Sequence, residues 1–141
     1  MPIRVVDLKN KHTLTVPGSE NFFSPRWSPN GRYLTAVTCE RPYRLMLFDF
    51  KTSAWKELFS HDAAYPTWSH DGKYVYFRTF QSIARVRISD SKAEDLVDLA
   101  GMKRLPVGTF GYWFGLAPDD SPLLSRDIST HEVYSIRWQA R

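Results

Sequence analysis

Three pairs of adjacent residues combine an imidazole with a carboxylate: His61-Asp62, His70-Asp71 and His131-Glu132. Such groups act as metal ligands, or as general acids and bases, when several of them converge on one point. Adjacent residues on a strand point to opposite faces of the sheet, and adjacent residues in a turn face solvent. The pairs are therefore not expected to converge. The sequence predicts no metal site and no cofactor, and His70 is interpreted as a solvated turn residue.

The patterns that mark hydrolases and nucleotide-binding enzymes are missing from the sequence. It contains no Gly-x-Ser-x-Gly elbow, no His-Glu-x-x-His motif and no glycine-rich phosphate loop. Cys39 is the only cysteine and has no helix start nearby, which favours a buried or half-buried strand residue over an activated thiolate. We therefore expect a protein without enzymatic activity.

The composition is that of a single globular domain. The chain has 141 residues, of which 43% are hydrophobic and 15% aromatic, enough to bury one core. No stretch approaches the roughly 20 apolar residues that span a bilayer, and the first residues do not form a signal peptide. A cytoplasmic location is expected, with a processed periplasmic protein left open. The net charge is +4, but basic and acidic residues alternate without a run, so we expect neither nucleic acid nor membrane as a partner.

A five-residue phrase occurs twice in the chain. Residues 27–31 read Trp-Ser-Pro-Asn-Gly, and residues 68–72 read Trp-Ser-His-Asp-Gly. Each copy has a proline two residues before the tryptophan, and each is followed by a basic, an aromatic and an aliphatic residue. Two segments that agree at so many positions indicate an internal repeat. The repeated structural positions are Pro25, Trp27, Ser28, Gly31, Pro66, Trp68, Ser69 and Gly72.

Each phrase predicts a hairpin between the first two strands of a four-stranded unit. Asn-Gly and Asp-Gly tolerate the positive φ angles that a tight primed turn requires. Both tryptophans are large enough to fill the space between adjacent sheets, and we predict that both do so. The predicted strands are 22–27, 33–38, 44–50 and 55–59 in the first unit, and 64–68, 74–79, 83–88 and 95–99 in the second.

Shorter units flank these two. Residues 3–8 match 45–50 in character, so 3–8 and 13–16 are predicted to be the third and fourth strands of a split unit. After residue 106 a degenerate unit has predicted strands 109–116, 122–126 and 132–138, with Ala117-Pro118-Asp119-Asp120 in place of the phrase. The single domain is thus predicted to divide into 1–18, the complete units 19–60 and 61–100, and the incomplete unit 106–141.

The repeated pattern Pro-x-Trp-Ser-Pro-[Asn/Asp]-Gly-[Arg/Lys]-Tyr-[Leu/Val] resembles the WD-like β-propeller repeats of the TolB type, with His70 in the second proline slot. The likeness covers residues 21–99 well. It implies an all-β fold made of four-stranded antiparallel blades. It also implies a non-enzymatic scaffold for a protein or peptide partner. Similar repeats occur in sensor portions of winged-helix regulators and in propellers of peptidases, so an accessory propeller is the alternative.

The number of predicted strands has a consequence for assembly. Thirteen strands make about three blades, whereas closed rings use roughly four to eight. Because open blade faces are an aggregation hazard, we expect a homodimer that closes a six-bladed ring, in which the N-terminal hairpin completes a neighbour's last blade. One predicted strand is then left over. A fragment of a longer propeller is the competing account.

The degenerate third unit carries an aromatic stretch on the strand that would line a propeller channel. These aromatics could grip a peptide or a small ligand, although packing between blades is the more ordinary explanation. The candidate ligand contacts are Arg26, Tyr112, Trp113 and Phe114.

Overall fold

The computed structural model describes residues 1–104, 112–130 and 132–135. Its described part contains twelve β-strands. The first six are β1 (Arg4–Val6), β2 (Thr13–Thr15), β3 (Phe22–Trp27), β4 (Tyr33–Thr38), β5 (Leu45–Asp49) and β6 (Ala54–Phe59). The others are β7 (Ala64–Trp68), β8 (Tyr74–Arg78), β9 (Ser82–Arg87), β10 (Ala93–Asp98), β11 (Phe114–Leu116) and β12 (Pro122–Leu124). Within the described ranges, no helix has the length and hydropathy needed to cross a membrane.

The strands form two four-stranded antiparallel sheets and two hairpins. Sheet I contains β3, β4, β5 and β6 in that spatial order, and sheet II contains β7, β8, β9 and β10 in the same order. The N-terminal hairpin is β1–β2, and the C-terminal hairpin is β11–β12. Each strand pairs with its neighbour in sequence, because short turns join antiparallel strands directly. The all-β, four-stranded plan predicted from the repeat is confirmed.

Strand positions agree with the sequence in the two complete units and less well after residue 104. Three predicted strands, 22–27, 33–38 and 64–68, have the observed bounds. The prediction of a strand over 132–138 is wrong for 132–135, and 136–138 lie outside the described residues. Val133 is 99% exposed there, and a strand forms only where a neighbour pairs with it and buries one face. Residues 109–111 of another predicted strand also lie outside the described residues.

The sheets pack face to face. The core between them contains Leu45 and Leu47 of sheet I against Val75, Phe77 and Val86 of sheet II. Full burial of side chains of this size contributes about 1.5–3 kcal/mol each. The first strands of sheet I, sheet II and the C-terminal hairpin, which are β3, β7 and β11, lie next to one another. We call them the converging edge of the stack.

The hairpins cover the outer faces of the two sheets. Ile3 and Val16 of the N-terminal hairpin pack on Leu34 and Phe48 of sheet I. On the far side of sheet II, the C-terminal hairpin places Phe114 against a group of buried residues. These residues are Tyr76, Ile83 and Leu99.

The repeated phrase builds a four-residue turn with glycine last. The Gly31 N–H donates to the Ser28 carbonyl oxygen at 2.9 Å, and Gly31 has a φ of 70°. The preceding residue, Asn30, is not among those with positive φ. The predicted primed turn, which needs two positive φ angles, is therefore wrong. Proline holds φ near −65° at the second position, which suits a type I turn followed by a left-handed glycine.

The second copy repeats this turn with the same hydrogen bonds. The Ser69 hydroxyl donates to Asp71 Oδ1 at 2.8 Å and accepts from the Tyr74 N–H at 3.0 Å. Asp71 Oδ1 also accepts from the Lys73 N–H at 2.9 Å. These bonds favour the charged carboxylate and lower the pKa of Asp71 to about 2, with the Lys73 backbone bond as the largest cause.

We expect Asp71 to contribute stability that is lost on acidification. Its pKa falls from 3.8 to about 2 on folding, so the contribution is complete above the unfolded value and disappears as the pH drops through the folded one. Denaturant unfolding of Asp71→Asn should therefore lack part of the wild-type pH dependence between about pH 4 and pH 2. Glu20→Gln, at an exposed position, is the control. Parallel pH profiles for wild type and Asp71→Asn would contradict the prediction.

The two repeated tryptophans have different environments. Trp68 is 8% exposed, its ring stacks on Tyr33 at 6.3 Å, and its Nε1–H donates to the Arg26 carbonyl oxygen at 3.1 Å. Trp27 is 47% exposed and stacks on Phe50, which directly follows β5 of its own sheet. Within the single chain, the prediction that both fill the space between sheets is confirmed for Trp68, whereas Trp27 fills no such space. The reason is that Trp68 packs against the complete sheet I, which precedes its own sheet. Trp27 belongs to sheet I, which only the N-terminal hairpin precedes.

Cys39 also differs from its prediction. It lies just past the end of β4 and is exposed rather than buried. Its backbone N–H donates to the Asn21 carbonyl oxygen at 2.7 Å, so only its backbone continues the pairing with the neighbouring segment.

Candidate functional site: an arginine–tyrosine cluster

A β-bulge in β7 sets the position of Tyr65. The pairing of β7 with β8 shifts register between Ala64 and Thr67, and Tyr65 has a φ of 55°. Pro66 has no N–H to donate to the ladder, which accounts for a bulge here. The left-handed conformation costs an L-residue roughly 1–2 kcal/mol. The first copy has the same conformation, with a φ of 54° at Ser24. The repeated proline therefore marks a bulge in the first strand of each sheet.

Arg78, the last residue of β8, lies beside this bulge because it pairs with Ala64. Its guanidinium carbon is 5.8 Å from the ring centre of Tyr65 and 5.7 Å from that of Tyr112. Its Nη1 donates to the Thr79 carbonyl oxygen at 3.2 Å. Its Nε is buried and has no hydrogen-bond partner within the described part of the chain.

Arg104 lies in the segment that precedes the C-terminal hairpin and, like Arg78, contacts Tyr112. An isolated antiparallel bridge to Arg126 fixes its backbone. Its guanidinium carbon lies 4.4 Å from the Tyr112 ring centre, and its Nη1 is buried without a hydrogen-bond partner in the described ranges. Tyr65, Arg78, Arg104 and Tyr112 are all half-buried, and we call them the arginine–tyrosine cluster.

The cluster holds two like charges close together. Burial lowers the pKa of Arg78, and the positive charge of Arg104 lowers it further. Neither arginine forms an ion pair with the described acidic residues. Asp127, the acidic residue next to Arg126, accepts instead from Ser129 at 2.8 Å and lies 3.5 Å from Lys103 Nζ. The tyrosine faces offset part of the charge, at about 0.5–2 kcal/mol for each contact.

The four predicted ligand contacts lie in different environments in the structure. Phe114 is 3% exposed within the core, so the prediction that it touches a ligand is wrong. Trp113 is 43% exposed and lies over Gly115, where a Cβ would be 2.8 Å from its ring. Arg26 is exposed and donates to the Pro25 carbonyl oxygen at 2.9 Å. Tyr112 alone of the four is in the arginine–tyrosine cluster.

Sequence reasoning missed the other members of the cluster. Tyr65, Arg78 and Arg104 are not among the residues that the sequence predicted to contact a ligand. One signal was available for Tyr65, which stands before the repeated proline where the first copy has Ser24. No interval in the sequence relates the four positions, since they come from three different segments.

His70 joins two turns rather than standing alone in solvent. It lies 2.6 Å from Asp120 through Nδ1, and its backbone N–H donates to the same carboxylate at 3.1 Å. Its side chain is 64% exposed, as expected of a turn residue. Asp120 has a φ of 64° in the place that Gly72 occupies in the second copy. The contact therefore connects sheet II to the C-terminal hairpin.

Comparison with protein-family models and with curated protein sequences finds no match. Solved structures do match. TolB from Acinetobacter baumannii is 16% identical with a TM-score of 0.59, over 87% of this chain and 42% of that one. The putative TolB from Agrobacterium tumefaciens is 22% identical with a TM-score of 0.63, over 85% of this chain and 44% of that one. The chain thus has the TolB-like propeller fold and spans less than half the length of either protein.

Proposed function

We propose that this chain is a non-enzymatic β-propeller scaffold that binds a protein or peptide and completes its ring with a second copy of itself. The propeller fold supports the scaffold role, since propellers present loops and a central channel to partners. The observation that carries the assembly is a pair of incomplete, complementary sheets at the two ends of the stack.

The C-terminal hairpin corresponds to the first two strands of a blade. Its turn repeats the phrase: the Asp120 N–H donates to the Ala117 carbonyl oxygen at 3.0 Å, and the Ser121 N–H donates to Asp119 Oδ1 at 3.0 Å. β12 pairs only with β11 among the described strands, so its other edge is unpaired within the described part of the chain.

The N-terminal hairpin corresponds to the third and fourth strands. Ile3 and Val5 pack on sheet I, as Leu45 and Leu47 of β5 pack on sheet II. β1 pairs only with β2, and no other residue of the ranges 1–104, 112–130 and 132–135 pairs with its second edge. Open edges are a hazard that folded proteins cover or block, and the two hairpins together contain the four strands of one blade.

The pairing within sheet I supplies the register for such a joint blade. There Leu34 lies opposite Phe48 and Thr35 opposite Leu47. The same register places Pro122 opposite Val6 of a second copy, and Leu123 opposite its Val5. Leu123 is 44% exposed and Val6 is 50% exposed, and both would be buried in the joint blade.

The joint blade would also cover the exposed tryptophan of the first repeat. Trp68 packs on the sheet that precedes it, through Tyr33. Trp27 would make the equivalent contact with the C-terminal hairpin of the second copy. Its exposed ring would then meet the outer face of that hairpin, which carries Trp113 and Leu123. Two copies related by a two-fold axis would make two such joints and close six blades.

The mass in solution tests the assembly. We expect wild type to sediment as a dimer at micromolar concentration. Leu123→Glu should raise the dimer dissociation constant at least about tenfold, because a charge would be buried without a partner. Phe80→Glu is the matched control, since Phe80 is 78% exposed in the turn between β8 and β9, outside both hairpins. A wild-type monomer with cooperative unfolding, or an equal effect of the two variants, would contradict the proposal.

A peptide-display selection tests the binding role separately. We expect enriched peptides that bind the wild-type chain and bind Arg26→Ala more weakly, since Arg26 is exposed and lies outside both hairpins. A selection that enriches nothing would count against a peptide-binding scaffold, whatever the mass in solution proves to be.

The second candidate is an accessory or sensor propeller of a peptidase or a winged-helix regulator. The chain covers only 42% and 44% of the two matched structures, which is compatible with a longer chain that supplies the other blades. A monomer that becomes stable only when fused to further blades would favour this candidate.

A further inference from the structure

We infer that the arginine–tyrosine cluster binds a small oxyanion, either a carboxylate or a phosphate, at the converging edge of the sheets. All four members belong to one chain, so the inference does not depend on the proposed ring or on its peptide partner. Tyr65 lies on β7, one of the three strands that form this edge.

The hydrogen-bond donors of the cluster point to this ligand. Arg78 Nε and Arg104 Nη1 are buried N–H groups without a partner in the described ranges. Buried polar groups in proteins nearly always have a partner, so two of them on neighbouring cations require an explanation. An oxyanion has at least two acceptor oxygens and can accept from both guanidinium groups at once.

The positive charge of the cluster also indicates an anionic ligand. Both guanidinium groups contact the single Tyr112 ring, at 5.7 Å and 4.4 Å, with no described carboxylate paired to either. Residues 105–111, which follow Arg104 in the sequence, contain no acidic side chain. Burial of like charges without a counterion is unfavourable, and one bound anion would offset both.

The local structure is suited to a small ligand. All four side chains are half-buried, so a ligand can reach the cluster from solvent, while the two tyrosine rings exclude part of the water. The bulge in β7 sets the position of Tyr65 beside Arg78, whose guanidinium carbon is 5.8 Å from the Tyr65 ring centre. The Tyr65 and Tyr112 rings both face Arg78 and restrict the directions in which its guanidinium group can turn.

Thermal unfolding of the whole chain in different sodium salts tests the inference. At equal ionic strength, phosphate or acetate should raise the melting temperature above its value in chloride, because a ligand that binds only the folded state stabilises it. Phosphate also stabilises folded proteins by exclusion from their surface, so only a rise that saturates at millimolar concentration indicates a site. A saturating rise in acetate alone identifies a carboxylate ligand, and one in phosphate alone identifies a phosphate. Equal melting temperatures in all three salts would overturn the inference.

Variants then locate the site. Arg104→Gln and Arg78→Gln should each weaken binding of the stabilising anion by about tenfold or more, since each removes a charge-assisted hydrogen bond. Arg87→Gln is the matched control, because Arg87 is an exposed arginine already paired with Asp90 at 3.2 Å. Equal weakening by the control would indicate general charge screening and would overturn the assignment.

A second readout covers variants that fail to fold. In the wild-type chain, the NMR resonance of the Arg78 Nε–H should shift on titration with the stabilising anion, whereas that of the Arg87 Nε–H should stay in place. A shift of Arg87 without a shift of Arg78 would contradict the site.

Discussion

Replacement of Trp68 by alanine is expected to lower the free energy of unfolding by about 3–5 kcal/mol. Trp68 is 8% exposed between the two sheets, among residues that include Val75 and Phe77. The change would leave a cavity, since the surrounding strands can close it only in part. It would also remove the hydrogen bond of 3.1 Å from Nε1 to the Arg26 carbonyl oxygen.

Urea denaturation monitored by circular dichroism measures this effect, and Trp27→Ala is its matched control. Trp27 is the same residue in the same phrase but is 47% exposed, so its loss should cost only about 1 kcal/mol in the single chain. If the ring closes as proposed, the cost at Trp27 should grow with protein concentration, because Trp27 is then buried against a second copy. If Trp27→Ala lowered the free energy of unfolding as much as Trp68→Ala at every protein concentration, the different environments of the two residues would be contradicted.

Replacement of Phe48 by alanine is expected to cost a similar amount, about 3–5 kcal/mol. Phe48 is 2% exposed, lies 4.9 Å from Phe50 and 5.1 Å from Trp55 between ring centres, and packs against Ile3 and Val16. No described strand of sheet I pairs with the N-terminal hairpin, so these apolar contacts and the bond of 2.8 Å from Trp55 Nε1 to the Pro17 carbonyl oxygen attach it to the sheet.

The variant should therefore release the N-terminal hairpin as well as lower global stability. Hydrogen exchange at the Val16 N–H, which donates to the Ile3 carbonyl oxygen at 2.9 Å, reports on the hairpin. Exchange at this group should accelerate more than the change in global stability requires. Phe80→Ala, at a position 78% exposed, is the control and should change stability by less than about 0.5 kcal/mol. Unchanged Val16 exchange in Phe48→Ala would show that other contacts hold the hairpin.

The repeated phrase allowed the sheets to be predicted because the information it carries is local. Serine, asparagine or aspartate, and glycine at fixed spacing form the turn through bonds that span only a few residues. Asn30 Oδ1, for example, accepts from the Ser28 hydroxyl and from the Arg32 N–H. A turn of known position places a strand on each side of it, and the alternation of apolar residues then sets which face is buried. The turn type was predicted wrongly, because proline favours the type I geometry over the primed one.

The candidate site could not be predicted in this way. Arg78 approaches Tyr112 only because a bulge, a sheet edge and a separate hairpin meet at the converging edge. Each of the three segments has its own local reason to fold as it does. Their meeting point depends on how the sheets stack, which no interval along the chain encodes.

The sequence by itself determined that this protein is a stack of four-stranded antiparallel sheets, with Trp27 and Trp68 at equivalent positions. Only the tertiary structure decided that Trp68 is buried while Trp27 is half exposed, and that four distant residues form the arginine–tyrosine cluster. The physical reason is that turns and strand pairs arise from near neighbours in the chain. Burial and charge depend on which other sheet lies opposite.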